Sequence, residues 1–88
     1  MFVTMRSFDQ YMRPCRTLEL GRLRGHADMA SAVMNHLFDP GMAGREVLVD
    51  TGSDVYRIQF YRGEIIFRSV YTDAIITVSR GKGYRLYF

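Results

Sequence analysis

The sequence predicts an α+β fold: a four- to five-stranded antiparallel meander sheet with one main helix packed on one face. Apolar residues recur at helical spacing in residues 28–38, and residues 45–88 alternate with the period of two that is typical of strands. The length of 88 residues leaves room for one hydrophobic core. We therefore interpret residues 1–88 as a single small domain.

Residues 1–25 carry the weakest pattern and are predicted to be irregular, with a short strand or a helix turn. The stretch "SFDQYMRP" could form one helical turn that Pro14 ends, and "TLELGRLR" could form a strand. Cys15 is the only cysteine, so an intrachain disulfide is excluded. We expect its thiol to be buried or half-buried.

The stretch "HADMASAVMNHLF" predicts the main helix, over residues 28–38. Asp28 is a candidate N-cap, and the Asp39-Pro40-Gly41 sequence would end the helix. A single amphipathic helix must bury its apolar side, so we interpret this stripe as core packing. The stripe consists of Met29, Ala30, Val33, Met34, Leu37 and Phe38.

The strands of residues 45–88 are separated by short turns that fix their pairing. Arg62-Gly63 suits a two-residue hairpin loop, which would place Arg57 directly opposite Arg68. The later "GKG" suits a three-residue loop, which would place Arg80 opposite Tyr84. The predicted strands are "REVLVD", "VYRIQFY", "EIIFRSVY", "AIITVSR" and "YRLYF".

This register sorts the strand residues onto two faces. The apolar face would hold Val47, Val49, Tyr56, Ile58, Phe60, Ile65, Phe67, Ile76, Val78, Leu86 and Phe88. The opposite side would hold arginines and polar residues, with Glu46 at the margin. From this side and the basic tip of the last hairpin we select a candidate binding face of Arg57, Gln59, Tyr61, Arg68, Arg80, Lys82, Arg85 and Tyr87.

The predicted Arg57–Arg68 pair is unfavourable by itself, because like charges directly opposite each other destabilise a sheet. An anionic partner could offset that cost, and so could Glu46 or Glu64. The two long side chains could also diverge into water. The sequence leaves these alternatives open.

The cationic side chains are almost all arginine: the net charge is +3, with eleven arginines and one lysine. The guanidinium fork suits carboxylate and phosphate, although codon usage in the source would produce the same bias. The chain start resembles no signal peptide, and no apolar run approaches the ~20 residues that span a bilayer. We expect a cytoplasmic protein without membrane contact.

The stretch "VLVDTGSD" resembles the catalytic loop of the aspartic proteases, both two-lobed and retroviral. The resemblance implies a dimer in which each chain supplies Asp50, Thr51 orients the loop, and Gly52 allows close approach. The chain offers no counterpart to the second apolar-apolar-Gly turn of that family. The same residues are turn formers, and a four-residue loop here would set Val49 opposite Tyr56.

The remaining candidate sites are weaker. "SRGKGYR" lacks the spacing of a phosphate-binding P-loop. His26 and His36 lie ten residues apart and do not show the ligand spacing of a structural zinc site. We therefore predict no metal and no cofactor.

The main hypothesis is a non-enzymatic binding module whose basic sheet face docks on nucleic acid or on an acidic protein surface. A special case is a small inhibitor from a phage or mobile element that blocks a nucleic-acid-processing enzyme, as anti-CRISPR proteins do. The third hypothesis is the dimeric aspartic protease. The sequence allows a monomer or a homodimer.

Overall fold

The computed structural model describes residues 1–62, 64–79 and 83–87, the last of these by backbone alone. Within these residues, one antiparallel sheet of seven strands carries one helix, α1 (His26–His36), and its strand order is β2-β1-β3-β4-β5-β6-β7. The strands are β1 (Phe2–Phe8), β2 (Pro14–Arg22), β3 (Glu46–Asp50), β4 (Val55–Tyr61), β5 (Glu64–Ser69), β6 (Ile75–Ser79) and β7 (Gly83–Tyr87).

The α+β class and the single helix on one side of an antiparallel sheet are confirmed, whereas the number of strands is wrong. Residues 1–25, predicted as largely irregular, form the hairpin of β1 and β2. The chain then crosses the sheet through α1 and returns as β3, which pairs with β1. The meander from β3 onward is as predicted, but β1 lies inside the sheet rather than outside it.

The turn between β1 and β2 is organised by Asp9, which explains why no helical turn forms there. One carboxylate oxygen accepts hydrogen bonds from the backbone N–H groups of Tyr11 and Arg13, both at 2.9 Å. The other accepts from the Arg13 guanidinium at 2.9 Å. Met12 takes a positive φ of 61° at the tip. The Asp side chain thus supplies a tight turn between two strands.

The helix begins and ends two residues earlier than the predicted 28–38. Gly25 occupies the N-cap position without a side-chain hydrogen bond, so Asp28 lies in the first turn and is not the cap. After His36 the chain turns, with the Asp39 carboxylate 2.7 Å from the His36 ring. Among the described residues, no helix is long and apolar enough to cross a membrane.

The core lies between α1 and the sheet side that faces it. Met29, Ala30 and Val33 of the helix pack into one cluster with strand side chains. The strand members include the fully buried residues Val3, Met5, Val49, Phe67 and Ile76. Phe60 lies on the predicted side of the sheet but is 63% exposed, because α1 ends at His36 and does not cover it. Phe38, predicted in the helix stripe, follows the end of α1 and is 79% exposed.

The predicted pairing is confirmed through the central strands. Val49 pairs with Tyr56 and Arg57 with Arg68. The pairing of β6 with β7 is displaced by two residues from the prediction: Val78 lies opposite Tyr84 rather than Leu86. A shift of two residues keeps each strand position on its predicted side of the sheet.

Strand β2 forms an edge of the sheet, and most of its side chains are exposed. Cys15 is among them, so the expectation of a buried thiol is wrong. An edge strand has a neighbour on one side only, and α1 packs over more central strands. The edge position therefore accounts for the exposed thiol.

We predict that Ser7→Ala raises the free energy of unfolding by about 1 kcal/mol, because an unsatisfied buried hydroxyl costs about 1–3 kcal/mol. Ser7 is fully buried, and its hydroxyl has no hydrogen-bond partner among the described residues. Urea unfolding measures the change. Ser7→Thr retains the hydroxyl and should lack the gain; a loss of stability in Ser7→Ala would show that the hydroxyl is satisfied.

A second prediction concerns Asp9, whose pKa is lowered below the ordinary 3.8, chiefly by the backbone hydrogen bond from Arg13. A lowered folded-state pKa means that the ionised carboxylate stabilises the fold above the unfolded-state pKa. That contribution disappears as the pH falls through the folded-state value. Urea unfolding should therefore find Asp9→Asn less stable than the parent at pH 7 and equal to it at about pH 2. A deficit of the same size at both pH values would contradict this role.

Candidate binding face on the open side of the sheet

The side of the sheet that faces away from α1 carries exposed polar side chains, and we call it the open face. Its central members are Arg6, Leu48, Arg57, Gln59, Ile66, Arg68 and Ile75. The pairing lines up Arg6, Leu48, Arg57, Arg68 and Ile75 in one row across five adjacent strands. Among the described residues, no helix or strand packs over this row.

Strand β3 supplies two carboxylates that pair with arginines on its two neighbours. Glu46 Oε1 lies 2.6 Å from Arg57 Nε on β4, as an ion pair rather than a well-directed hydrogen bond. Asp50 Oδ2 lies 3.4 Å from Arg6 Nη1 on β1. Two of the three central arginines are thus neutralised within the sheet, and the open face is less basic than its arginines alone suggest.

Arg68 differs from the other two arginines of the row. Its Nε donates to Gln59 Oε1 at 3.4 Å, and no carboxylate of the described residues lies within ion-pair distance. Strand β5 is two strands away from β3, or about 10 Å, which places the β3 carboxylates out of reach. The repulsion between Arg57 and Arg68 could be reduced by an anionic partner, by Glu46 or Glu64, or by divergence of the two side chains into water. Of these, the structure shows an ion pair with Glu46, which neutralises Arg57 alone.

A shallow cavity of about 530 Å³ surrounds Arg68 on β4 and β5, and we call it the Arg68 hollow. Gln59, Tyr61 and Arg68 of the predicted face line it, together with Phe60 and Ile66. The lining contains no carboxylate, histidine or thiol. It thus offers a guanidinium, an amide, a phenol and apolar surface, which can hold a ligand through charge, hydrogen bonds and burial.

The other predicted members of the face are placed less completely. Arg85 and Tyr87 lie on β7 opposite Thr77 and Ile75, so the backbone register assigns them to the open side. Arg80 and Lys82 fall outside the described residues. The described part of the predicted face is therefore centred on β4 and β5.

Sequence reasoning missed the half of the open face that β1 contributes. Arg6 was assigned to an irregular segment, although "VTMRS" does alternate between apolar and polar residues. Leu48, Ile66 and Ile75 were also passed over, and each is half-buried on this side. Each alternates along its strand with the polar residues of the open side, which was the available signal. Together they give the face an apolar component.

The Asp50-Thr51-Gly52 segment forms the turn between β3 and β4. Asp50 Oδ1 accepts from the Gly52 N–H at 2.8 Å, and Gly52 has a positive φ of 87°. Thr51 is buried, and its hydroxyl contacts both the backbone N–H and the carbonyl of Asp54. These contacts build the four-residue loop that the sequence predicts between the strands.

Possible metal ligands are scattered over the fold. Within residues 1–62 and 64–79, no three side chains of the His, Cys, Asp and Glu types converge on one point. His26 lies 3.5 Å from the hydroxyl of the buried Tyr56, and His36 contacts Asp39. Burial, followed by the negative charge of Asp54, raises the pKa of Tyr56. Both histidines thus have contacts with neighbouring side chains of the fold.

We predict that Arg68→Glu raises the free energy of unfolding by about 0.5–1 kcal/mol at low salt, because it replaces a like-charge pair with an opposite-charge pair opposite Arg57. The gain should shrink in about 1 M salt, which screens exposed charges. Urea unfolding at both salt concentrations measures it. A destabilised variant would mean that Arg68 supports the fold, and the face would lose its main candidate for binding.

Comparison with known proteins identifies no relative from which the role of the open face could be inferred. No protein family matches the chain, and no curated protein or solved structure is significantly similar to it. What the open face does must therefore be inferred from its own residues.

Proposed function

We propose that this protein is a non-enzymatic binding module that docks through its open face on an acidic surface of a protein partner. The observation that carries the proposal is the Arg68 hollow. There an exposed guanidinium without an ion-pair partner among the described residues lies beside Ile66 and Tyr61. A carboxylate from a partner would supply the missing charge.

The arrangement around Arg68 favours such a contact. A guanidinium can bind a carboxylate through two parallel N–H donors, which adds direction as well as strength. The adjacent aliphatic and aromatic surface would be removed from water in the same step. Gln59 already contacts Arg68 and restricts its side chain, which reduces the ordering that binding requires.

Two features favour a protein over a nucleic acid as the partner. Nucleic-acid binding on a sheet uses exposed aromatic rings for stacking and free cations for phosphate. Here Arg6 and Arg57 are paired with carboxylates, and the Arg62 guanidinium lies 5.3 Å from the Tyr61 ring centroid. The row also combines arginines with a leucine and an isoleucine, a mixture that suits a protein surface.

The test is affinity purification from the native host or its target cell, followed by binding measurements with the recovered protein. We expect Arg68→Glu to weaken binding at least tenfold, since a like charge would then face the partner's carboxylate. Arg24→Glu is the matched control, because Arg24 is an exposed arginine in the connection between β2 and α1. It makes the same charge change outside the face and should leave affinity unchanged.

Two results would contradict the proposal. Equal affinity of the parent and Arg68→Glu for the recovered partner would exclude the hollow as the contact. Binding to arbitrary oligonucleotides that falls steeply with salt would show a nucleic-acid partner instead. The class of the recovered protein separates the inhibitor hypothesis from other docking roles.

A further inference from the structure

A second surface lies on the helix side of the sheet, where the strands extend past the end of α1. It is an apolar cavity of about 410 Å³, which we call the end groove, lined mainly by Leu37, Phe38, Met42, Ile58 and Phe60. Phe38 and Phe60 are 79% and 63% exposed. Two large exposed rings beside one apolar cavity are typical of an interaction site.

The loop between β5 and β6 is also apolar and exposed, and we call residues 70–73 the Tyr71 loop. Val70 is 50% exposed and Tyr71 75% exposed. The loop is held by hydrogen bonds: Ser69 Oγ accepts from the N–H groups of Tyr71 at 3.1 Å and Thr72 at 3.0 Å. Ser69 itself donates to Asp54 at 2.7 Å. Little ordering would be needed for this loop to enter a groove.

The groove and the loop are complementary in charge as well as in apolar character. Arg45 is the one charged residue that lines the groove, and among the described residues it contacts no carboxylate within ion-pair distance. The Tyr71 loop carries the exposed carboxylate of Asp73 two residues after its tyrosine. A tyrosine in the groove would bring that carboxylate near the guanidinium.

The two surfaces cannot meet within one chain, because they lie at opposite ends of β4. Phe60 is near the end of β4, whereas the loop is fixed at its beginning, where the Val70 N–H donates to the Val55 carbonyl at 2.9 Å. Five residues of strand separate these points by about 17 Å. The contact therefore requires two molecules.

We propose that two copies of this chain associate as a two-fold symmetric pair in which the Tyr71 loop of each copy enters the end groove of the other. Two-fold symmetry uses both surfaces of both copies and closes the assembly. The groove is on the helix side of the sheet and shares Phe60 with the Arg68 hollow, but the pair does not use Arg68 or the row of the open face. The inference therefore stands independently of the proposed function.

Sedimentation velocity across a concentration series tests this pair, with charge reversals as the probe. Arg45→Glu or Asp73→Arg alone would place like charges together, and we expect each to weaken dimerisation at least about tenfold. The double variant restores an opposite-charge pair and should return the dimer to near its original affinity. Arg24→Glu, outside both surfaces, should not change the equilibrium, and neither should Arg68→Glu.

Tyr71→Ala provides an independent variant, since it removes the ring without changing charge and should also yield monomers. A monomer at all concentrations up to about 100 µM would overturn the proposal. So would a dimer that the single charge reversals do not weaken, or a series of larger oligomers in place of a pair. Dimerisation and partner binding are measured separately, so either proposal can fail alone. An intact dimer without partner binding through Arg68 would leave the dimer proposal unaffected. Partner binding through Arg68 by a monomer would leave the proposed function unaffected.

Discussion

The hydrogen-bonded pairing of β4 with β5 determines which side chains enter the core and which lie on the open face. Neighbouring residues on a strand point to opposite sides, so a slip of one residue would exchange the two faces. In the observed register Ile58 lies opposite Phe67 on the helix side, and Arg57 lies opposite Arg68 on the open side. The same pairing therefore closes the core and brings two guanidinium groups together.

Two features of the surroundings determine what each side of the sheet can do. On the open side, β3 neutralises arginines on both of its neighbours but cannot reach Arg68 on β5. On the helix side, α1 ends at His36, so Phe60 of the longer sheet remains uncovered. Among the described residues, one surface therefore has an unneutralised charge and the other has uncovered apolar area, and we propose partners of different chemistry for them.

Local chemistry explains which parts of this fold were predictable from sequence. The residue types of Arg62-Gly63 and of residues 51–54 predict short turns, and the strands beside them alternate cleanly, so the predicted pairing of these strands is confirmed. The β1–β2 hairpin was missed because Ser7 puts a polar residue on the buried side and edge strand β2 is largely exposed. The exposure of Phe38 and Phe60 depends on where α1 lies over the sheet, which spacing alone does not encode.

Arg57 and Arg68 share the open face because β4 and β5 pair in this register. Nuclear Overhauser contacts between Hα protons measure that register directly, since they are strongest at every second cross-strand pair. We predict contacts within one alternating set of the observed pairs, either Ile58–Phe67 with Tyr56–Ser69 or Arg57–Arg68 with Gln59–Ile66. Contacts displaced by one residue, such as Arg57–Phe67, would place Arg57 and Arg68 on opposite faces and contradict it.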